Sequence, residues 1–254
     1  LGGIINASRA RIPMIIIAAR SPISERRGVP GSRDIHVQWS QESFDQAAIV
    51  REFVKWDYEI RQPDQVASVM ERAYEVALAE PCGPVYISVP RDVLAAPLVD
   101  FPATLPAQRI TAARIIPDPS LLDVAADLIV NARNPIIVTS EAGRTAGGRT
   151  ELARLSHAGA IGVLEASPVY SNLDPKHPCH LGYVFASQVS PELELADVIL
   201  VVESDVPWFT ARVTVPASAK VIQLGVDPFY QSLPMRGFPC DVPLIGHAES
   251  GLRE

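Results

Sequence analysis

The sequence predicts an α/β protein built on parallel sheets with flanking helices and divided into two domains. Three observations carry this. Short apolar runs of strand length alternate with stretches at helical spacing through most of the chain. One run, Ile12-Pro13-Met14-Ile15-Ile16-Ile17-Ala18-Ala19, is apolar without interruption, the pattern of a strand covered on both faces in a parallel sheet. Residues 95–119 hold Pro97, Pro102, Pro106, Pro117 and Pro119 with no apolar periodicity, and so interrupt the alternation with an extended connection.

Taken in order, residues 1–10 are small and apolar and lead to Arg9 and Arg11, so they read as the end of a helix, where cations suit the terminal carbonyls. The chain opens on Leu1 rather than Met, as if it starts inside a domain. The strand at 12–19 follows. Residues 21–34 are polar, with Gly28, Pro30 and Gly31, and read as a loop. Residues 41–54 place Phe44, Ala47, Ala48 and Val50 at helical spacing. Residues 64–79 form a cleaner helix: Pro63 precedes it, Asp64 is placed to cap it, and Val66, Val69, Met70, Ala73, Val76 and Ala77 line one face. Gly83-Pro84 then leads into a strand over 85–89, which stops on Pro90-Arg91-Asp92. Residues 1–94 thus form a first domain, residues 95–119 a proline-rich linker, and residues 120–254 a second domain. In the second, helices are expected over 120–131, 149–158 and 191–195, and strands over 135–139, 161–164, 196–202 and 220–224.

Composition excludes several function classes. Hydrophobic residues make up 48% of the 254 and charged residues 20%, which supports a sizeable core and argues against wholesale disorder. The net charge of −7 disfavours nucleic acid, which needs a basic face. No apolar run approaches the ~18 residues of a membrane span. The start lacks the basic-then-apolar pattern of a signal peptide. Cys82, Cys179 and Cys240 lie far apart, which argues against a disulfide framework and suits a reducing cytoplasm. His177-Pro178-Cys179-His180 reads as a turn with solvated histidines, because its spacing matches no usual zinc pattern.

Ligands of α/β proteins bind beyond the carboxyl ends of strands. Four such ends stand out: Ser140-Glu141-Ala142-Gly143-Arg144, Glu165-Ala166-Ser167-Pro168, Glu203-Ser204-Asp205 and Gly225-Val226-Asp227-Pro228. Ser140, Gly143, Ser204 and Asp227 are candidates for a nucleotide crevice, with Asp205 and Asp227 able to accept from a ribose hydroxyl. Ordinary strand-to-helix turns are the competing reading. No GxGxxG or Walker pattern is present, and Glu203 sets a negative charge where a phosphate loop would want a donor. No catalytic constellation emerges from these residues.

The stretch Gly83-Pro84-Val85 through Pro90-Arg91-Asp92 resembles the end of the pyrimidine-binding domain of thiamine diphosphate-dependent enzymes of the acetolactate synthase-like family. The strand Ile12-Pro13-Met14-Ile15-Ile16-Ile17 and the pair Gln41-Glu42 resemble further features of that domain, although Ser40 replaces the usual aromatic, and Lys55 sits where the family carries a lysine. Ala196-Asp197-Val198-Ile199-Leu200-Val201-Val202, Lys220 through Pro228, and the His177-Pro178 and Leu181-Gly182 pairs are similar to the family's central domain.

The resemblance implies a partial flavodoxin-like first domain and a Rossmann-like central domain of the sirtuin/DHS type. It implies a parent enzyme that uses thiamine diphosphate and Mg2+ on 2-oxo acids, by carboligation or decarboxylation, and works as a homodimer or homotetramer. The family's activating glutamate would precede this chain and its diphosphate-binding domain would follow it, so the catalytic set here is empty. Gln41 and Arg91 match positions that line the substrate channel, with Arg91 able to pair with a substrate carboxylate or, alternatively, with Asp92 or an interface. The family's glycines in the central domain give way here to Thr139-Ser140-Glu141-Ala142-Gly143 and to Glu203, so FAD is not expected. The alternatives are a non-catalytic Rossmann-like nucleotide-binding or regulatory module, and a purely structural spacer.

Overall fold

The computed structural model describes residues 1–98, 113–185 and 190–254. Pro102 and Pro106 of the expected linker lie outside the described residues. The chain divides into two compact units, Leu1–Ala112 and Ala113–Glu254.

The first unit runs α1 (Gly2–Arg9), β1 (Met14–Arg20), α2 (Val37–Ser40), β2 (Asp57–Glu59), α3 (Val66–Leu78), β3 (Pro84–Pro90) and α4 (Arg91–Ala95). Its sheet is parallel, in the order β1-β3-β2. The central strand β3 is buried at all seven positions. Alternate residues Val85, Ile87 and Val89 pack on Val69, Ala73 and Ala77 of α3, while Tyr86 faces Ala47 and Val50 on the other side. In β1, an edge strand, the expected burial on both faces is not observed: Met14 is 40% exposed and Ile17 59%.

Local chemistry alters three further expectations. In place of the helix expected over 41–54, only the 3-10 turns Ala47–Ile49 and Arg51–Phe53 form, and α2 ends before it at Ser40. The Asp45 carboxylate accepts from Ala48 N–H and from the Arg51 guanidinium, a short-range competition that breaks a continuous helix. Asp64 does not cap α3. Gln62 and Gln65 form a capping box around a 3-10 turn, Pro63–Gln65. Pro90 N-caps α4, so Ala95, the first residue of the expected linker, is helical.

The second unit runs α5 (Pro119–Val130), β4 (Pro135–Thr139), α6 (Ala146–Gly159), β5 (Gly162–Ala166), β6 (His180–Val184), α7 (Pro191–Glu194), β7 (Val198–Val202), β8 (Lys220–Gly225), β9 (Val242–Ile245) and α8 (Ala248–Arg253). Asp118 caps α5 through Ser120 N–H at 2.8 Å, with Pro119 in its first turn. All strand pairs are parallel, in the order β6-β5-β4-β7-β8-β9. Strand side chains alternate between two cores. Ile137, Leu200 and Leu224 pack with α5, α6 and α8, while Val138, Ile199 and Val201 pack with Leu193, Trp208 and Val213. Each fully buried branched side chain of this kind contributes about 1.5–3 kcal/mol. The α/β fold with parallel sheets is as the sequence predicts. β2, β6, β9, α4 and α8 were not foreseen; β2 is short and charged, β6 carries Gly182 and β9 carries Pro243.

Candidate functional site

In the first unit, β1 and β2 flank β3 and each ends on a charged residue. Arg20 closes β1 and forms an ion pair with Glu59, which closes β2. Glu42 bridges the guanidiniums of Arg33 and Arg20, the latter at 3.9 Å. Beside them lies a cavity of about 350 Å3 lined by Arg20, Gln46, Arg51, Tyr58, Glu59 and Ser88, with Phe44 at its rim.

Arg91 does not pair with Asp92. It forks onto Asp34, Nη1 to Oδ1 at 2.7 Å and Nη2 to Oδ2 at 3.2 Å, and this contact holds the Asp34 carboxyl below its usual pKa. Asp92 instead accepts from the backbone N–H groups of Ser24 at 2.9 Å and Ile23 at 3.1 Å. The two charges after Pro90 therefore strap the polar 21–34 loop onto α4. Gly31 makes the fit possible: its φ is +74, and a Cβ there would stand 2.7 Å from Arg91 O. Gln41 ends α2 with its N–H on Val37 O at 3.0 Å and an exposed side chain. Asp34 N–H donates to Gln38 Oε1, so both candidates border one polar cluster, although no described hydrogen bond joins Gln41 to Arg91. Lys55 caps the far end of α3, with Nζ 2.6 Å from Val76 O and 2.5 Å from Ala79 O, and burial pushes its ammonium pKa down.

In the second unit the strand order reverses between β4 and β7, the place where open α/β sheets hold ligands. Ser140 and Ser204 meet there. Their hydroxyls lie 2.7 Å apart, and Ser140 Oγ donates to Ala166 O at 2.5 Å. Gly143 and Asp227 point elsewhere. Gly143 N–H donates to Asn172 Oδ1 at 2.8 Å, and its backbone is so close to Ser171 that a Cβ would lie 2.1 Å from Ser171 O. Asp227 accepts from Gln231 N–H at 3.0 Å, and Asp205 from Val206 N–H at 2.7 Å.

Five consecutive loop amides have acceptors within the protein. Ser140 and Glu141 N–H donate to Glu203 O, Ala142 to Thr139 Oγ1, Gly143 to Asn172 and Arg144 to Glu141 O. These amides form no phosphate cradle.

Several residues that organise this crevice were not among the ligand candidates of the sequence. Glu165, 2% exposed, joins His180 Nε2 at 3.0 Å and Asn172 Nδ2 at 2.8 Å. The expected solvated turn at 177–180 is therefore corrected: His180 is buried on a carboxylate and opens β6. Glu203 is 3% exposed, with Oε1 3.6 Å from Arg144 Nη2, so its charge is met inside the fold. Arg236 donates to Ser204 O, Asp205 O and Gln223 Oε1 and lies over Tyr230 and Phe238. A carboxylate closing an apolar strand, as at Glu165 and Glu203, was the available signal.

The model of the thiamine pyrophosphate enzyme central domain matches residues 122–254, just over half the chain. The chain belongs to the thiamine pyrophosphate enzyme family. It is 25% identical over 257 residues to oxalyl-CoA decarboxylase of Escherichia coli (strain K12), covering 100% of this chain and 43% of that protein. It is 26% identical over 216 residues to acetolactate synthase of Arthrospira platensis, covering 81% and 37%. A solved thiamin diphosphate-dependent enzyme isolated from Mycobacterium smegmatis superposes with a TM-score of 0.76 at 24% identity, over 99% of this chain and 46% of that one, which shows the shared fold. The chain spans less than half the length of these relatives.

Against that family, the loop amides of Ser140 to Arg144 do not fit a diphosphate group, since each has an acceptor within the protein. Among the described residues no group of three His, Cys, Asp or Glu residues is placed to hold a metal ion. No described helix is long and apolar enough to cross a membrane.

Proposed function

We propose that this chain is the structural middle of a thiamine diphosphate- and Mg2+-dependent enzyme that acts on 2-oxo acids by carboligation or decarboxylation. Residues 1–94 supply the end of the pyrimidine-binding domain, residues 95–119 the linker and residues 120–254 the central domain. The catalytic glutamate and the diphosphate-binding domain lie outside it. The observation that carries this reading is the family match over 122–254, beside a sheet crevice whose amides from Ser140 to Arg144 bond within the protein.

In this reading the chain's own residues position and bind, and the cofactor supplies the electron sink for the carbanion. Arg91 and Gln41 face the substrate channel, and Arg91 is the group that would meet a substrate carboxylate. FAD has no place in the central unit. The complete protein is a cytoplasmic homodimer or homotetramer.

The test pairs two measurements. Calorimetry of the 254-residue chain with thiamine diphosphate and Mg2+ is expected to show no tight binding and no turnover of 2-oxo acids. The complete polypeptide, given the same additions, is expected to release CO2 from a 2-oxo acid. Turnover by the chain alone, or a complete polypeptide inert to every 2-oxo acid with cofactor bound, would overturn the reading. A yellow protein with bound-flavin absorbance would overturn the exclusion of FAD.

A further inference from the structure

Gln41 follows α2, a helix of four residues that is too short to be stable alone. Its backbone ties are local: Gln41 N–H reaches Val37 O at 3.0 Å, and Glu42 N–H reaches Trp39 O at 3.4 Å. The segment around it is held by two arginines. Arg33, whose side chain is 8% exposed, donates from Nε to Pro22 O at 2.8 Å and from Nη1 to Gln38 O at 3.1 Å, and its guanidinium lies 5.6 Å from the centre of the Trp39 ring. Arg20, at the end of β1, donates to Ser43 O at 3.3 Å. Residues on both sides of Gln41 are thus fixed, to a buried guanidinium of the 21–34 loop and to the end of a sheet strand.

Glu42 joins the two arginines. Its Oε2 meets Arg33, and its Oε1 lies 3.9 Å from Arg20 Nη2. Arg20 carries the series on to Glu59 at the end of β2. Alternating charges on Arg33, Glu42, Arg20 and Glu59 therefore run from the 21–34 loop, through the residue after Gln41, to the carboxyl ends of β1 and β2. A network of this kind holds geometry better than an isolated surface pair does. Each arginine keeps other partners when Glu42 is removed: Arg33 has Pro22 O and Gln38 O, and Arg20 has Glu59 and Ser43 O. Loss of this carboxylate severs the link between loop, α2 and sheet and leaves no guanidinium unpaired.

We propose that Glu42 is a positioning residue for Gln41, fixing its place relative to the carboxyl ends of β1 and β2 through Arg33 and Arg20. The inference rests on the reading of Gln41 as a substrate-channel residue given above. A carboxamide orients a substrate only as well as its backbone is held, and a displacement of about 1 Å is enough to lose most of its effect.

Two measurements test it. In the 254-residue chain, amide hydrogen exchange at Gln41 and Glu42 is expected to run about tenfold faster in Glu42→Ala than in the native protein, as the end of α2 opens more often. In the complete enzyme, Glu42→Ala is expected to raise KM for a 2-oxo acid about fivefold with kcat within about twofold, and to add nothing once Gln41→Ala is in place. If Glu42→Ala does not fold, Glu42→Gln, which keeps the shape and loses the charge, carries the same expectations. Unchanged exchange overturns the proposal whatever the enzyme does. Effects of the two substitutions that multiply overturn it as well, since a merely structural Glu42 acts independently of Gln41. Gln41→Ala without effect on KM rejects the channel reading and the positioning role together, and exchange then reports on the anchor by itself.

Discussion

Arg91 and Asp34 are 57 positions apart and meet as a two-point ion pair, with N–O distances of 2.7 and 3.2 Å. The guanidinium that follows β3 is thus occupied by a carboxylate of the same unit, at the position where the substrate reading needs it to meet one. Under the proposed function, Asp34 would therefore compete with an anionic substrate for Arg91. In the complete enzyme, Arg91→Ala is expected to raise KM for anionic substrates, and Asp34→Asn to lower it by releasing the guanidinium. Steady-state kinetics checks both, and KM values unchanged in the two variants would reject the substrate contact.

The same pair has a pH signature. Arg91 lowers the Asp34 pKa from its ordinary 3.8, so the folded value lies below the unfolded one. The pair is therefore complete above the unfolded value and weakens only as the pH falls below about 4. Proteolysis of the 21–34 loop by an acid protease should accelerate there, and Asp34→Asn should remove the pH dependence.

Asp197 stitches the start of β7 to the turn after α5, accepting from Arg133 N–H at 2.7 Å and Asn134 N–H at 2.9 Å. These backbone hydrogen bonds lower its carboxyl pKa from 3.8, so its contribution is present at neutral pH and is lost on acidification below about 4. Asp197→Ala is expected to cost about 1–2 kcal/mol at pH 7. Thermal unfolding should show the gap to the native protein closing as the pH approaches 3.

Asn172 is fully buried, and its carboxamide serves Gly143 N–H, Ser140 O, Tyr170 O and Glu165. Asn172→Ala leaves several of these without a partner, at about 3 kcal/mol. Denaturant unfolding should show a lower midpoint at unchanged slope.

Gly143→Ala probes the same turn sterically. The added methyl would stand 2.1 Å from Ser171 O, and backbone cannot yield as a flexible side chain does. A loss of about 1–3 kcal/mol is expected from overpacking. A variant of native stability would show that the 171–172 segment moves aside.

Much of the fold was legible because burial leaves period and composition in the sequence. The apolar cores of β3, β4, β7 and β8, and the faces of α3 and α5, announce themselves through runs and spacing. β2 did not, since Asp57-Tyr58-Glu59 owes its strand form to pairing with β3 rather than to its own pattern. The 41–54 segment misled because exposed Phe44 has a helical position but no helical face to cover.

The sequence by itself determined the class, the two-part organisation and the resemblance that the family match bore out, because these rest on local pattern and motif order. Only the tertiary structure decided what the charged residues do. Arg91 turned to Asp34 rather than to its neighbour, Glu165 and His180 found each other across adjacent parallel strands, and Glu203 folded into the crevice against Arg144. Charges choose partners by distance in space, and the parallel strands that set those distances are joined by long connections. The residue next in sequence is therefore a poor guide to the residue next in the fold.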